Sequence, residues 1–424
     1  MMPKGWKEVK LGEVINHQKG YAFKSDSYIT EGVRIIRISD TTRNSIHDNS
    51  PVYIDENETA SLSQYKLNAE DIILSTVGSR PHLLDSMVGK AVKVPVKDRG
   101  ALLNQNLVKI VPKNSLITNN YLFSMITKSK FNYFISTLVR GNANQVSITL
   151  KELFAYTFPL PPLPEQQKIA KILSTWDKAI SATERLIDNS TQQKKALMQQ
   201  LLTGKKRLLD DEGQRFEGEW EERKLSNLGS TFNGLTGKTK VDFGSGKKYI
   251  PYMNIFKNTF IDTDNLDYVN IDVDEKQNTV QFGDVFFTTS SETPEEVGMS
   301  SILLKKTKEP IYLNSFCFGF RLFEIDKVAP AFIGYILRSS HVRRKIAILA
   351  QGATRYNLSK VQLLKISIAL PSLEEQQKIA TVLTNADREI ELLEQQLADL
   401  QQEKKALMQV LLTGKKRVRI NDRT

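Results

Sequence analysis

The feature that most constrains this chain is that it is written twice. Residues 160–170 read LPPLPEQQKIA and residues 370–380 read LPSLEEQQKIA; residues 194–207 read KKALMQQLLTGKKR and residues 404–417 read KKALMQVLLTGKKR. The offset is 210 residues in each case, and across 160–207 roughly 27 of 48 positions are identical without a gap. Agreement at one fixed offset over that length is internal duplication, and it comes before any assignment of elements. The flanking regions repeat more faintly. Trp6-Lys7-Glu8-Val9-Lys10-Leu11 is echoed by Trp220-Glu221-Glu222-Arg223-Lys224-Leu225, and Ala69-Glu70-Asp71-Ile72-Ile73-Leu74 by Phe282-Gly283-Asp284-Val285-Phe286-Phe287. The order is a variable block (1–160), a near-identical block (161–207), a second variable block with its linker (208–370), a second near-identical block (371–417) and a tail (418–424). A chain of 424 residues has length enough for more than one core.

The near-identical blocks read as long helices. From Ile379 the spacing alternates between four and three through Leu383, Ala386, Ile390, Leu393, Leu397 and Leu400, is interrupted by Lys404, and resumes at Leu407 and Leu411. Such a pattern over about five heptads is a coiled-coil seam. The first copy keeps the register through Ile169, Leu173, Trp176, Ile180, Ile187, Leu197 and Leu201, with Thr183, Ser190 and Lys194 as its polar members. Looser packing is expected at Thr183 and Ser190. Ser372-x-x-Glu375 has the form of a capping box, and Pro164 suits a first helical turn. Gly204 and Gly414 can take a left-handed cap, and the cations that follow favour the negative helix end. Each helix should run about 38 residues, or about 57 Å. One such helix leaves its seam unburied. Two of equal length and matched register can pair with each other, antiparallel; an intermolecular coiled coil is the alternative.

The variable blocks read as mixed α/β. Apolar runs bounded by turn signals predict strands at 33–38, 71–76, 88–94, 107–111, 285–289, 301–304 and 319–324. Helical patterns occupy 121–138, 330–350 and, more weakly, 59–66. The expected class is α+β with antiparallel sheet: two mixed domains joined by two long helices that pair as an antiparallel coiled coil, a pseudo-twofold tandem repeat. The net charge of +11 suits an acidic partner. It lies mainly in two places, with about +6 in residues 1–160 and about +3 in 218–370. The single cysteine, Cys317, cannot form an intrachain disulfide, which fits a reducing cytoplasm. The opening residues contain no apolar signal core, and no stretch approaches the roughly 20 apolar residues of a membrane span.

A search for catalytic motifs returns nothing. His17, His47, His82 and His341 are not at metal-ligand spacing, and GxSxG and HExxH are absent. Gly237-Lys238-Thr239 resembles the end of a phosphate loop, but Phe232 stands where that loop requires its first glycine. No GxGxxG, no Asn-Pro-Pro-aromatic and no Pro-Asp nuclease core is present. A catalytic site in each half would have left matching acidic or nucleophilic residues. The chain is therefore expected not to be an enzyme, and to carry no cofactor or metal of its own.

Two basic domains on a rigid spacer suit a bipartite ligand. On DNA, half-sites about 34 Å apart can be met from one face, and because the two domains differ the two half-sites should differ. Candidate base-reading residues are polar or basic groups in glycine-containing loops. In the first domain they are Ser75, Thr76, Ser79, Arg80, Arg140, Asn142, Asn144 and Gln145. In the second they are Thr288, Thr289, Ser290, Ser291, Thr354, Arg355, Tyr356 and Asn357. Lys19, Lys24, Lys238, Lys240, Lys247 and Lys248 are candidates for phosphate contact. A coiled-coil scaffold with protein-binding end domains is the competing reading.

The layout and motifs resemble a family. LPPLPEQQKIAKIL…KKALMQQLLTGKKR and its second copy are similar to the two conserved regions of type I restriction-modification specificity subunits. The opening WKEVKLGEV, the AEDIIL and FGDVFF strands and the glycine loop before LPPLPEQ are similar to that family's target recognition domains. The resemblance covers nearly the whole chain. It implies a non-catalytic, cytoplasmic, DNA-binding subunit with one target recognition domain per half-site. The partners it implies are double-stranded DNA, two modification (methyltransferase) subunits and restriction (endonuclease/translocase) subunits. S-adenosylmethionine, ATP and magnesium would belong to those subunits. Glu165, Gln166, Gln167, Glu375, Gln376 and Gln377 match the family's motif near the helix starts, where helix capping and solvation compete with partner contact as their role.

Overall fold

The computed structural model describes residues 2–42, 45–78, 88–139, 146–352 and 354–420. Its chain divides into two compact units, one built from residues 1–184 together with 396–424, the other from 185–395. The boundary falls inside the two long helices, Leu163–Leu201 and Leu373–Leu411, each of 39 residues. Each unit thus holds half of each helix.

Within the first unit the helix halves run antiparallel. Asp177 pairs with Lys404, and Glu165, near the start of one helix, pairs with Arg417, just past the end of the other. The second unit repeats this, with Ser190 Oγ donating to Glu389 Oε1 at 3.2 Å, Lys194 paired with Asp387, and Arg207 with Glu375. Lys194 and Lys404, the polar interruptions of the seam, therefore each face an aspartate of the other repeat. An ion pair at a seam position penalises shifted registers, in which the lysine would face an apolar residue. Thr183 departs from expectation. It is buried, 4% exposed, with its hydroxyl donating to the Ala179 carbonyl at 3.0 Å. A small side chain that satisfies its own hydroxyl on the preceding turn can be covered without loss.

The variable parts of the two units have the same topology. In the first, a four-stranded antiparallel sheet runs in the order Ile15–Lys19, Leu107–Pro112, Ile72–Ser75, Ala91–Lys93. In the second, the order is Gly229–Asn233, Cys317–Leu322, Val285–Thr288, Ser300–Ile302. Each unit adds a three-stranded sheet. There Val33–Ile36 lies antiparallel to Val52–Ile54 and parallel to Leu102–Leu103, while Phe243–Ile250 lies antiparallel to Asp267–Val269 and parallel to Tyr312–Leu313. The four-stranded sheets are antiparallel as expected, and each three-stranded sheet adds one parallel pair. The strand order and pairing of the described sheets are thus duplicated where the sequence repeat is faint.

The helical patterns at 121–138 and 330–350 each break into two helices, Asn119–Ile126 with Ser129–Leu138, and Pro330–Arg338 with Ser340–Ile348. Ser339 causes the second break: its backbone is extended and its side chain accepts the Val342 N–H. The first occurs at Lys128, also extended, after Thr127 has turned its hydroxyl back to the Phe123 carbonyl.

The core of each unit clasps the start of one long helix and the end of the other. Ile169, Leu173, Leu411 and Leu412 pack with Trp6 and Phe158 in the first. Ile379, Leu383, Leu201 and Leu202 pack with Phe332 and Phe320 in the second. Gly204 and Gly414 have φ of 69° and 71°, the left-handed caps their positions demand. Trp220 and Trp6 lie against them, the ring atoms 3.4 Å and 3.3 Å from where a Cβ would stand.

Candidate nucleic-acid interface

The two groups of candidate base-reading residues in the second unit come together. Ser290–Ser291 pairs antiparallel with Tyr356–Asn357, so the segment after the central strand Val285–Thr288 and the segment after the helix Ser340–Ile348 share a two-stranded ribbon. The Thr289 N–H donates to the Phe316 carbonyl at 3.0 Å, and its own carbonyl accepts the Leu358 N–H at 2.9 Å. Arg355 Nε donates to Ser290 Oγ at 3.2 Å, Ser291 Oγ donates to Glu296 Oε2 at 3.1 Å, and the Tyr252 hydroxyl donates to the Ser290 carbonyl at 2.8 Å. Thr354, Arg355 and Asn357 are exposed and Tyr356 is half-buried.

The first unit builds the same ribbon from Val77–Gly78 and Val146–Ser147. Thr76 donates its N–H to the Asn106 carbonyl at 3.1 Å and accepts the Ile148 N–H at 3.0 Å, the counterparts of the Thr289 bonds. Ser79, Arg80, Arg140, Asn142, Asn144 and Gln145 lie outside the described residues.

Some candidates hold the ribbon rather than present a side chain. Ser75 is 1% exposed and Thr288 is 0% exposed, with the Thr288 hydroxyl accepting the Met299 N–H at 3.0 Å. Neither can reach a base edge without the strand end opening. Ser290 and Ser291 are also buried and engaged with Arg355 and Glu296. Among the lysines, Lys19, Lys24, Lys240, Lys247 and Lys248 are exposed. Lys238 is not: its side chain is largely covered and its ammonium is bound to Glu275, which raises its pKa. A phosphate would have to displace that carboxylate.

The Glu-Gln pairs at the helix starts correct the sequence reading of solvation. Glu165, Gln166, Glu375 and Gln376 are all buried. Gln166 accepts the Thr118 N–H at 2.9 Å and donates to the Leu116 and Pro161 carbonyls, both at 2.9 Å. Gln376 accepts the Ala329 N–H at 3.0 Å and donates to the Pro371 carbonyl at 2.9 Å. Arg207 forks onto Glu375 with Nε and Nη2 each 2.7 Å from a carboxylate oxygen, and Arg417 engages Glu165 in the same way. The Ser372 hydroxyl does accept the Glu375 N–H at 3.3 Å, but the Glu375 carboxylate turns to Arg207 instead of closing the box. These residues lock the recognition domain, the start of one helix and the end of the other within each unit. The signal that could have identified them is that both members of each ion pair are duplicated. Gln167 and Gln377 are exposed.

Phe316 was also not singled out from the sequence. It occupies the position of Asn106 in the duplicated turn, accepts from Thr289 as Asn106 does from Thr76, and is 61% exposed beside the ribbon.

The family model of the type I restriction modification DNA specificity domain matches this chain twice, over residues 3–189 and 217–402. The chain belongs to that family. It is similar to the type I restriction enzyme MjaVIII specificity subunit of Methanocaldococcus jannaschii, 26% identical, with 99% of this chain and 94% of the relative covered. It is also similar to the EcoKI specificity subunit of Escherichia coli, 23% identical over 72% of this chain and 65% of the relative. The fold resembles that of the type I restriction-modification S subunit from M. genitalium, with TM-score 0.59, 13% identity, and 97% and 99% of the two chains covered. A chain from the structure addressing complex assembly and conformational transition of the type I R-M system gives TM-score 0.57 at 17% identity, with 98% of this chain and 99% of that one covered. The specificity family's role is recognition of the DNA target; its members are not the catalysts of their systems. Among the described residues no helix is long and apolar enough to cross a membrane.

Proposed function

We propose that this specificity subunit reads an asymmetric, bipartite duplex target, one unit to each half-site, and directs the modification and restriction subunits to it. The observation that carries the reading is one topology built twice with a different set of side chains at the same ribbon. A shared framework with divergent residues at one place is what two half-sites of unlike sequence require. Arg355, Thr354, Tyr356 and Asn357 are the exposed or half-exposed candidates in the second unit, the guanidinium suited to a guanine edge and the amide to adenine. In the first unit the corresponding candidates are Arg80, Arg140, Asn142, Asn144 and Gln145, with Thr76 at the root. Lys19, Lys24, Lys240, Lys247 and Lys248 would meet phosphates. Two modification subunits and the restriction subunits complete the assembly in the cytoplasm, and S-adenosylmethionine, ATP and magnesium belong to them.

The test is methylation mapping. The chain is co-expressed with its cognate modification subunit and host DNA is sequenced for methylated adenine. A single split motif that depends on this chain is the expected result. Exchange of residues 1–155 for those of another specificity subunit should change one half-motif and leave the other intact. Methylation of an unchanged motif without this chain, or none with a competent modification subunit, would overturn the reading in favour of a scaffold.

A further inference from the structure

The first unit carries a feature that base reading does not use. A cleft of about 1160 Å³ lies between the helices Asn119–Ile126 and Ser129–Leu138 and the long-helix segments of the same unit. Among the described residues, eight lysines and three carboxylates line it. Lys93 is matched to Glu70 at 2.6 Å, and Lys404 to Asp177. Lys130, Lys178, Lys405 and Lys415 are exposed on its walls. Lys128 differs from all of these. It is 8% exposed, and among the described residues its ammonium has a hydrogen bond only to the Met125 thioether, at 3.7 Å. Burying an ammonium with no carboxylate beside it is costly, and the cost is relieved by an anion that enters from outside.

The duplication sharpens this. Residues of the shared framework recur in the second unit; the domain-side lysines of the cleft do not. Ser339 caps the counterpart helix where Lys128 stands in the first unit, and His341 follows where Lys130 does. Lys128 is thus a buried cation of one unit and no part of the framework the two units share.

We propose that this cleft binds phosphate esters, and that the sugar-phosphate backbone of DNA flanking the first half-site is the source its position favours. Lys90 lies on the cleft wall, and its carbonyl accepts the Ser75 N–H at 3.1 Å, at the root of the first candidate base-reading loop. A backbone that passes the ribbon is thereby led towards the lysines. Ser129 and Lys130, which open the helix Ser129–Leu138, line the same cleft and add the anion preference of a helix N-terminus. Burial pushes the pKa of Lys128 down to about 8, so a bound phosphate would hold its proton in place. The site itself stands on the cleft; only the source of the phosphate rests on the DNA-specificity reading.

The test is salt-dependent binding by the full chain, read by fluorescence anisotropy on a duplex that lacks the methylated motif. Each phosphate contact contributes about 0.9 to the slope of log affinity against log salt. The variant Lys128→Met/Lys178→Gln/Lys405→Gln should flatten that slope by about 3 and weaken binding about a hundredfold or more at 0.1 M salt. Lys178→Gln/Lys405→Gln alone, which alters only exposed side chains, should flatten it by about 2 and preserves the test if Lys128→Met disturbs folding. Inorganic pyrophosphate, followed by calorimetry, is the second arm. An unchanged slope with pyrophosphate bound by the natural chain and not by the triple variant keeps the site and makes a free phosphate its ligand. An unchanged slope without such binding overturns the proposal. Motif mapping is a separate measurement, so failure of the specificity reading and failure of this cleft are distinguishable.

Discussion

At the scale of single residues, some buried polar groups are completed by the fold, whereas the Lys128 ammonium among the described residues meets only a thioether. Gln166 and Gln376 each join the first turn of a long helix to a backbone N–H of the domain. Gln166→Leu strands the Thr118 N–H and two carbonyls, and about 1–3 kcal/mol should be lost, measured by urea unfolding. Lys128 is the buried cation of this kind. Its pKa is about 8 in the folded chain against 10.5 for an ordinary lysine. The unfolded chain then binds more protons between these values, so stability rises with pH across that window and the penalty is fully present below it. Thermal melts of the natural chain should therefore gain on those of Lys128→Met as pH goes from about 8 to about 10.5, and parallel profiles would show that the ammonium is not buried in solution. Phe316 and Asn106 make a third test. Phe316→Asn should alter base preference in one half-motif alone, read by methylation mapping.

At the scale of elements, the long helices are specified by pairs that cross between repeats. Lys194–Asp387 is the more enclosed, and the Tyr335 hydroxyl donates to the same aspartate at 2.6 Å. Lys404–Asp177 is more exposed. Lys404→Asp should cost about 1 kcal/mol or less, and adding Asp177→Lys should restore it. Lys194→Asp should cost more, about 1–3 kcal/mol, and Asp387→Lys should restore it incompletely because Tyr335 loses its acceptor. Double-mutant cycles on the two pairs, measured by denaturant unfolding, would distinguish them; equal recovery would remove Tyr335 from the account.

At the scale of the whole molecule, the units are not halves of the chain. The second is continuous, 185–395, whereas the first needs 396–424 to complete a core that contains Leu411 and Leu412. Residues 185–395 should therefore fold alone as a cooperative unit, and 1–184 should not until 396–424 is supplied as a separate peptide. Circular dichroism and proteolysis of the fragments check this; a cooperative melt of 1–184 alone would contradict it.

The sequence by itself determined the duplication, the register and ends of the long helices, the left-handed caps at Gly204 and Gly414, and several sheet strands, Ile72–Ser75, Leu107–Pro112 and Val285–Thr288 among them, because these depend on periodicity and local backbone preference. Its candidate list also held the second unit's ribbon, Ser290–Ser291 with Tyr356–Asn357, whereas the first unit's ribbon, Val77–Gly78 with Val146–Ser147, lies beside its candidates and not among them. Only the tertiary structure decided what those residues face. Ser75 and Thr288 look like loop residues from their neighbours but are covered by chain far away in sequence. Glu165 and Glu375 look like capping carboxylates, yet each is taken by an arginine more than a hundred residues distant. Nothing in its sequence neighbourhood marks Lys128, whose burial on the wall of the cleft is set by the fold. Burial and pairing are set by which distant segments meet, and local pattern carries no record of that choice.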